Sequence, residues 1–271
     1  MGFQMAPLKL HRWGSLGSPV WLCIHGFMGT GFDWDAFARA ALTFNPNLCI
    51  LAPDLPGHGS SPPMSVDSFE TQIASLLESE IEDEVTLVGY SLGGRLGLQC
   101  VLSNPQKFPV FIGISTTAGL EIPSERAQRK VSDSILADQL RGIKSDSAFR
   151  SFLGDWWNLP IFNSPARNME LKNSFIESRL KQNPCAMADS LDQWGSGVLP
   201  SLWNQLEAYT GRALFLTGSA DEKYVPISRR LTDTVSLSEL KILNAVGHQI
   251  LIENPSEAAK CVIEFLQRSS P

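Results

Sequence analysis

The residues best suited to chemistry in this chain of 271 residues are a serine, an aspartate and a histidine, met in the order Ser91, Asp221, His248. Serine is a poor nucleophile and a poor base at neutral pH. It needs an imidazole to take its proton and a carboxylate to orient that imidazole. Ser91 stands in Gly89-Tyr90-Ser91-Leu92-Gly93, after the apolar Val85-Thr86-Leu87-Val88 and before an apolar run from Leu96 to Leu102. That order reads as strand, sharp turn, helix. It holds a hydroxyl on a strained backbone at a helix N-terminus, whose partial positive charge favours developing anions. Of the four histidines only His248 follows Ser91, on a loop after a strand-like run, and Asp221 lies on a comparable Gly218-x-x-Asp221 loop. Taken singly, Asp221 is an ordinary surface-loop acid and His248 a lone exposed histidine. Taken in order, each just past a strand, they can meet the serine at one sheet edge; Glu222 is the weaker competitor for the acid. The expected oxyanion donors are the backbone N–H groups of Leu92 and of Phe27, which follows His25-Gly26. His25 and His58 are expected to fix loops through side-chain hydrogen bonds, and His25 is also a candidate for the pocket wall.

The elements that must position these groups follow from the pattern of apolar runs. Val20–Ile24, Leu48–Ala52, Val110–Ser115, Ala213–Thr217 and Leu240–Leu243 are short and continuous, as in strands buried on both faces. Helical stretches alternate with them over 34–42, from near Val66 to Ile81 with Asp67 or Ser68 as cap, over 226–235 and over 255–268. Alternation of this kind indicates an α/β fold with a mostly parallel, doubly wound sheet. Residues 1–19 are expected to form an edge hairpin. From 120 to 209 the strands stop, and helices with four tryptophans are expected to form an inserted cap. The expected division is a core of 1–119 and 210–271 with the cap at 120–209.

Bulk properties exclude several classes. Hydrophobic residues make up 43% and charged residues 18%, which suits a folded chain with a sizeable core. A net charge of −6 argues against nucleic acid and anionic membrane as partners, so cationic contacts to an anionic substrate must be local. Five scattered cysteines without a C-x-x-C suggest reduced thiols, and neither a membrane-length apolar run nor a signal-peptide core is visible, so a cytoplasmic protein is expected. No metal-ligand spacing and no G-x-G-x-x-G after a strand occurs, so no metal and no cofactor are implied.

His25-Gly26-Phe27, Asp54-Leu55-Pro56-Gly57-His58-Gly59-x-Ser61, the Gly89 to Arg95 run, Gly218-x-x-Asp221 and Gly247-His248 resemble the α/β-hydrolase superfamily over essentially the whole chain, including its Ser, Asp, His order. Tyr90-Ser91-Leu92-Gly93-Gly94-Arg95, Gly119-Leu120 with Glu125-Arg126-Ala127-Gln128-Arg129, Asp155-Trp156-Trp157 with Pro160-x-Phe162, and Asp221-Glu222-Lys223-Tyr224 resemble a narrower family. These are the 2-succinyl-6-hydroxy-2,4-cyclohexadiene-1-carboxylate (SHCHC) synthases of menaquinone and phylloquinone biosynthesis, lyases that eliminate pyruvate from an enolpyruvyl precursor. Two departures, Thr117-Ala118 for Ser-Pro and Trp157 for Tyr, fall at the pocket floor and rim.

One residue speaks for the narrower resemblance on physical grounds. Arg95 follows Ser91 by four positions, one helical turn on and on the same face. An apolar ester has no use for a cation there, whereas a polycarboxylate pairs with it bidentately. The competing assignment pairs Arg95 with a structural carboxylate such as Asp54. The resemblance further implies Arg129, in preference to Arg126, as a second cation. It implies Tyr90 as a hydrogen-bonding phenol, and Trp156 and Phe162 as the apolar wall; for these aromatics cap packing is an equal alternative. Lys223 fits the family pattern and equally fits a surface lysine. The expected partner is a small polycarboxylate substrate, on a monomer or weak homo-oligomer. The rivals are a serine hydrolase of carboxylate-bearing esters or C–C bonds, and a binding module without catalysis.

Overall fold

The computed structural model describes residues 8–15, 19–62, 73 and 84–268. Seven strands form one sheet: β1 (Leu10–Gly14), β2 (Val20–Ile24), β3 (Cys49–Pro53), β4 (Val85–Tyr90), β5 (Val110–Ile114), β6 (Arg212–Gly218) and β7 (Ser238–Leu243). Their spatial order is β1-β3-β2-β4-β5-β6-β7. β1 runs antiparallel to β3, with Leu10 opposite Pro53, and every other pairing is parallel. Of the hairpin expected over 1–19, residues 1–7 and 16–18 lie outside the described residues, and Leu10–Gly14 is an edge strand. The helix expected from Val66 to Ile81 likewise lies outside them, apart from the buried Ile73.

The sheet is wound on both faces because its central strands are apolar at nearly every position. Leu22, Leu87, Phe111 and Phe215 point into one core, which they share with Leu96 and Val101 of α2 (Leu92–Ser103) and Leu231 of α7 (Tyr224–Thr234). The alternate residues Trp21, Val88, Ile112 and Leu214 meet Phe37 and Ala41 of α1 (Asp35–Phe44) and Val262 and Phe265 of α9 (Pro255–Gln267) on the other face. The period of two in a strand thus splits each apolar run between two cores.

Between β5 and β6 the chain is helix and loop only: α3 (Pro123–Gly142), α4 (Asp146–Trp157), α5 (Met169–Arg179) and α6 (Pro184–Trp194). Side-chain caps start three of them. Ser145 accepts from Ala148 N–H, Asn168 from Leu171 N–H, and Asn183 from Cys185 and Ala186 N–H. These helices share an apolar cluster of their own, in which Leu140, Phe149, Leu153, Phe175 and Leu191 meet Met28 from the loop after β2. A short helix α8 (Ile250–Glu253) follows β7. No described helix is long and apolar enough to cross a membrane.

Candidate active site

The turn from β4 into α2 is tight because two glycines let backbones close in. A Cβ on Gly89 would lie 2.4 Å from Gly94 Cα, and one on Gly93 would lie 2.2 Å from the Ile24 carbonyl oxygen. Ser91 itself sits at φ 52 and ψ −112, a backbone region that costs about 1–3 kcal/mol and persists only under constraint. The constraint is visible: Ser91 N–H donates to Ile114 O at 2.9 Å, and the Thr116 hydroxyl donates to Ser91 O at 2.8 Å. The side chain is thereby held out over the parallel strands' C-terminal edge.

His248, on the loop between β7 and α8, reaches the serine. Its Nε2 accepts from Ser91 Oγ at 3.1 Å, and its Nδ1–H donates to Asp221 Oδ2 at 2.7 Å. His248 and Asp221 are buried and Ser91 is half-buried, and the two contacts hold the imidazole in one tautomer and one orientation. The loop before it is pinned by Glu253, whose Oε2 accepts from Gly247 N–H at 2.7 Å and from the Ser164 hydroxyl at 2.5 Å.

A cavity of about 400 Å³ opens over Ser91 and His248. Phe27 and Leu92, whose amides were expected as oxyanion donors, stand at its wall, as do Tyr90, Trp156 and Phe162. The Phe27 turn abuts the serine: a Cβ built on its Gly26 would lie 3.4 Å from Ser91 Cβ. Trp156 packs between Phe27 and Phe162, with ring centroids 5.7 and 5.9 Å away, and Phe162 is 5.9 Å from His248. These aromatics therefore both pack the cap and wall the cavity. Burial keeps the Tyr90 phenol well above its ordinary pKa, and so neutral and able to donate.

Arg95 is 4% exposed and faces this cavity. Its guanidinium donates to the Ser196 hydroxyl and, at 2.8 Å, to Trp194 O, while its Nε has no hydrogen-bond partner. No carboxylate of the described residues lies within ion-pair distance of it. Asp54, the acid considered for that pairing, is instead taken by His11 Nε2 at 2.9 Å and by the Gly31 and Ser60 amides. Burial, and then the nearby Arg129, draw the Arg95 pKa down to about 10. Arg129 is at the wall too, with its Nε 2.7 Å from Asp133. Arg126 is not among the lining residues; its guanidinium reaches back to Val198 O at 3.4 Å rather than standing free in solvent.

His25 is the one expected pocket residue that the structure does not bring to the cavity. It is fully buried, with Nδ1–H donating to Gly26 O at 2.7 Å and Nε2 accepting from Leu55 N–H at 2.9 Å. Both ring nitrogens are used within the fold, so none is left for a ligand. His58 is buried beside it, ring centroids 5.2 Å apart. Two further wall residues are Lys223, which the sequence left open between the family pattern and a surface lysine, and Tyr224, which it did not assign to the site. Lys223 has its pKa lowered by burial and then by Arg129, and Tyr224 packs against His248, ring centroids 4.7 Å apart and tilted by 40°, and has its phenol raised by burial. Only the family pattern marked them; their local sequence reads as a surface turn. Among the described residues no His, Cys, Asp and Glu group could hold a metal ion.

The sequence pattern of the alpha/beta hydrolase family matches residues 21–260. A protein of Bacillus subtilis (strain 168) provisionally named 2-succinyl-6-hydroxy-2,4-cyclohexadiene-1-carboxylate synthase is 31% identical over 262 residues, covering 93% of this chain and 92% of that one. The enzyme of that name from Escherichia coli O1:K1 is 27% identical over 257 residues, covering 94% and 96%. Among solved structures, MenH from S. aureus matches with a TM-score of 0.86 at 27% identity, over 97% of this chain and 98% of that one.

Proposed function

The chain belongs to the alpha/beta hydrolase family, and from that premise we propose that it is a lyase of quinone biosynthesis rather than a hydrolase. The proposed reaction converts 2-succinyl-5-enolpyruvyl-6-hydroxy-3-cyclohexene-1-carboxylate to SHCHC with release of pyruvate. The observation that carries this reading is Arg95, a buried guanidinium without a carboxylate partner among the described residues, one turn from Ser91. Holding an unpaired charge out of water is costly, and a bound carboxylate would offset that cost. Lys223 adds positive charge to the same cavity, and Arg129 stands at its wall paired with Asp133, which suits a substrate that bears a carboxylate on its ring, its succinyl arm and its enolpyruvyl group. The B. subtilis and E. coli relatives bear the name of this activity.

In the proposed mechanism His248, oriented by Asp221, takes the proton of Ser91. The Ser91 alkoxide removes the ring proton at the carbon that bears the succinyl ketone. The C–H electron pair moves onto that ketone as an enolate, and the N–H groups of Phe27 and Leu92 hold the oxyanion. The enolate then collapses through the ring double bond, and the ether bond to the enolpyruvyl group breaks. Pyruvate leaves as its enolate and takes a proton to become the ketone. Ser91 regains a proton from the ring carbon and His248 returns its own to the leaving group, so charge and protons balance. The helical segment 120–209 acts as the cap that walls the substrate from water. The protein is read as a cytoplasmic monomer or weak homo-oligomer.

The test is to supply the enolpyruvyl compound and follow pyruvate with a coupled dehydrogenase. Wild type should release pyruvate, and Ser91→Ala should lower kcat by at least about 10³-fold with substrate binding retained. Rapid turnover of p-nitrophenyl acetate without pyruvate release would instead favour a serine hydrolase that uses the same three side chains.

A further inference from the structure

The turn that presents the Phe27 amide is shaped by the helical segment as well as by the sheet. Gly26-Phe27-Met28-Gly29 is closed by Gly29 N–H donating to Gly26 O at 3.0 Å, and its third residue, Met28, has φ 62. A positive φ at that place marks a type II turn, where glycine is the usual occupant. A residue with a side chain stays there only when its surroundings over-determine it. From the core, the His25 ring holds Gly26 O. From above, the Met28 side chain is 1% exposed and sits in the apolar cluster of α3 to α6.

The remaining tie is Gln182, in the loop between α5 and α6. Its Nε2 donates to Met28 O, and its Oε1 accepts from Gly59 N–H at 3.2 Å. Both ends of one amide, 6% exposed, therefore join the loop after β2 to the loop after β3. Arg179 at the end of α5 adds an ion pair, 2.5 Å, to Asp33 just beyond the turn.

We propose that Gln182 is a positioning residue for the oxyanion hole, tying the turn that carries the Phe27 amide to the cap so that the hole is complete only when the cap is seated. Without that tie Met28 can relax toward a right-handed φ, and the Phe27 amide moves with it. A misplacement of about 1 Å in a catalytic group can cost on the order of 10²-fold in rate. The proposal rests on the reading of Phe27 and Leu92 as oxyanion donors.

The experiment uses the full chain carrying Gln182→Met, which keeps length and loses both hydrogen bonds. Three quantities are read: the rate of Ser91 phosphonylation by a p-nitrophenyl phosphonate, whose phosphoryl oxygen needs the same hole; kcat and KM for pyruvate release; and Tm. Phosphonylation and kcat should fall together by roughly 10–100-fold while KM stays within about threefold. A folded variant with phosphonylation and kcat near wild type overturns the proposal. The same change is then made in Met28→Gly, where glycine adopts φ 62 without strain. Its effect should shrink there, and an undiminished effect counts against the proposal. If Gln182→Met fails to fold, Gln182→Asn, one methylene too short to span both loops, is scored by the same ratio. A wild-type protein that is phosphonylated but releases no pyruvate removes the lyase reading and leaves the positioning role measurable.

Discussion

Arg95 shows how far a single residue can be read. Its four-residue spacing from Ser91 places it on the serine's side of a helix, and the structure has it at the cavity wall. Its true partners, the Ser196 hydroxyl and Trp194 O, could not be read. They lie about a hundred positions away, at the end of α6 and in the loop after it, and local pattern carries no such pairing. Arg95→Ala is expected to raise KM and to lower kcat/KM by on the order of 10²-fold, as when one partner of a buried charge contact is removed. Arg95→Lys should restore little, since an ammonium cannot offer the planar fork of donors. Steady-state kinetics of pyruvate release measures both. His25 fixes loops through its ring, as its position suggested, and is not a pocket residue; the partner that claims its second nitrogen, Leu55, thirty positions on, was not legible locally.

At the scale of elements, apolar runs located β2 to β7 to within two residues, most closely the central strands, which are buried on both faces, whereas β1, half-exposed at the sheet edge, was read only as part of a hairpin over 1–19. The helices between β5 and β6 were legible as helical but not individually. Their caps, Ser145, Asn168 and Asn183, are ordinary polar residues until the apolar cluster they serve is known. The β4-to-α2 turn was the best-read element, since its glycines are demanded by contact with neighbouring backbone. Gly93→Ala would drive a methyl to 2.2 Å from the Ile24 carbonyl. Backbone on both sides cannot yield, so the loss should exceed the ~1–3 kcal/mol of ordinary overpacking. Urea denaturation of the variant beside wild type measures it, and a near-wild-type midpoint would contradict the contact.

The whole molecule carries two buried neutral imidazoles, His25 and His58, beside the turn that carries Phe27. Burial lowers the pKa of His25 to about 4 and that of His58 to about 3. The unfolded chain binds protons at both near 6.5, the folded chain does not, so unfolding takes up protons as pH falls. Stability is therefore unaffected above 6.5, declines between 6.5 and about 4 on account of both groups, and declines further to about 3 through His58. Each group contributes a slope of at most about 1.4 kcal/mol per pH unit. Urea midpoints at pH 7 and pH 5 should differ accordingly, and His58→Phe, if folded, should flatten the dependence. A flat profile in wild type would place both rings outside the buried, uncharged state.

The reactive hydroxyl precedes its imidazole by 157 positions, and the carboxylate lies between them on a third loop. A ribosome therefore delivers the serine long before anything that can deprotonate it. On the proposed mechanism, a partly translated chain, even one whose first strands have already paired, holds the serine without its base. On the same reading, termination anywhere before His248 leaves a fragment that lacks the proposed base.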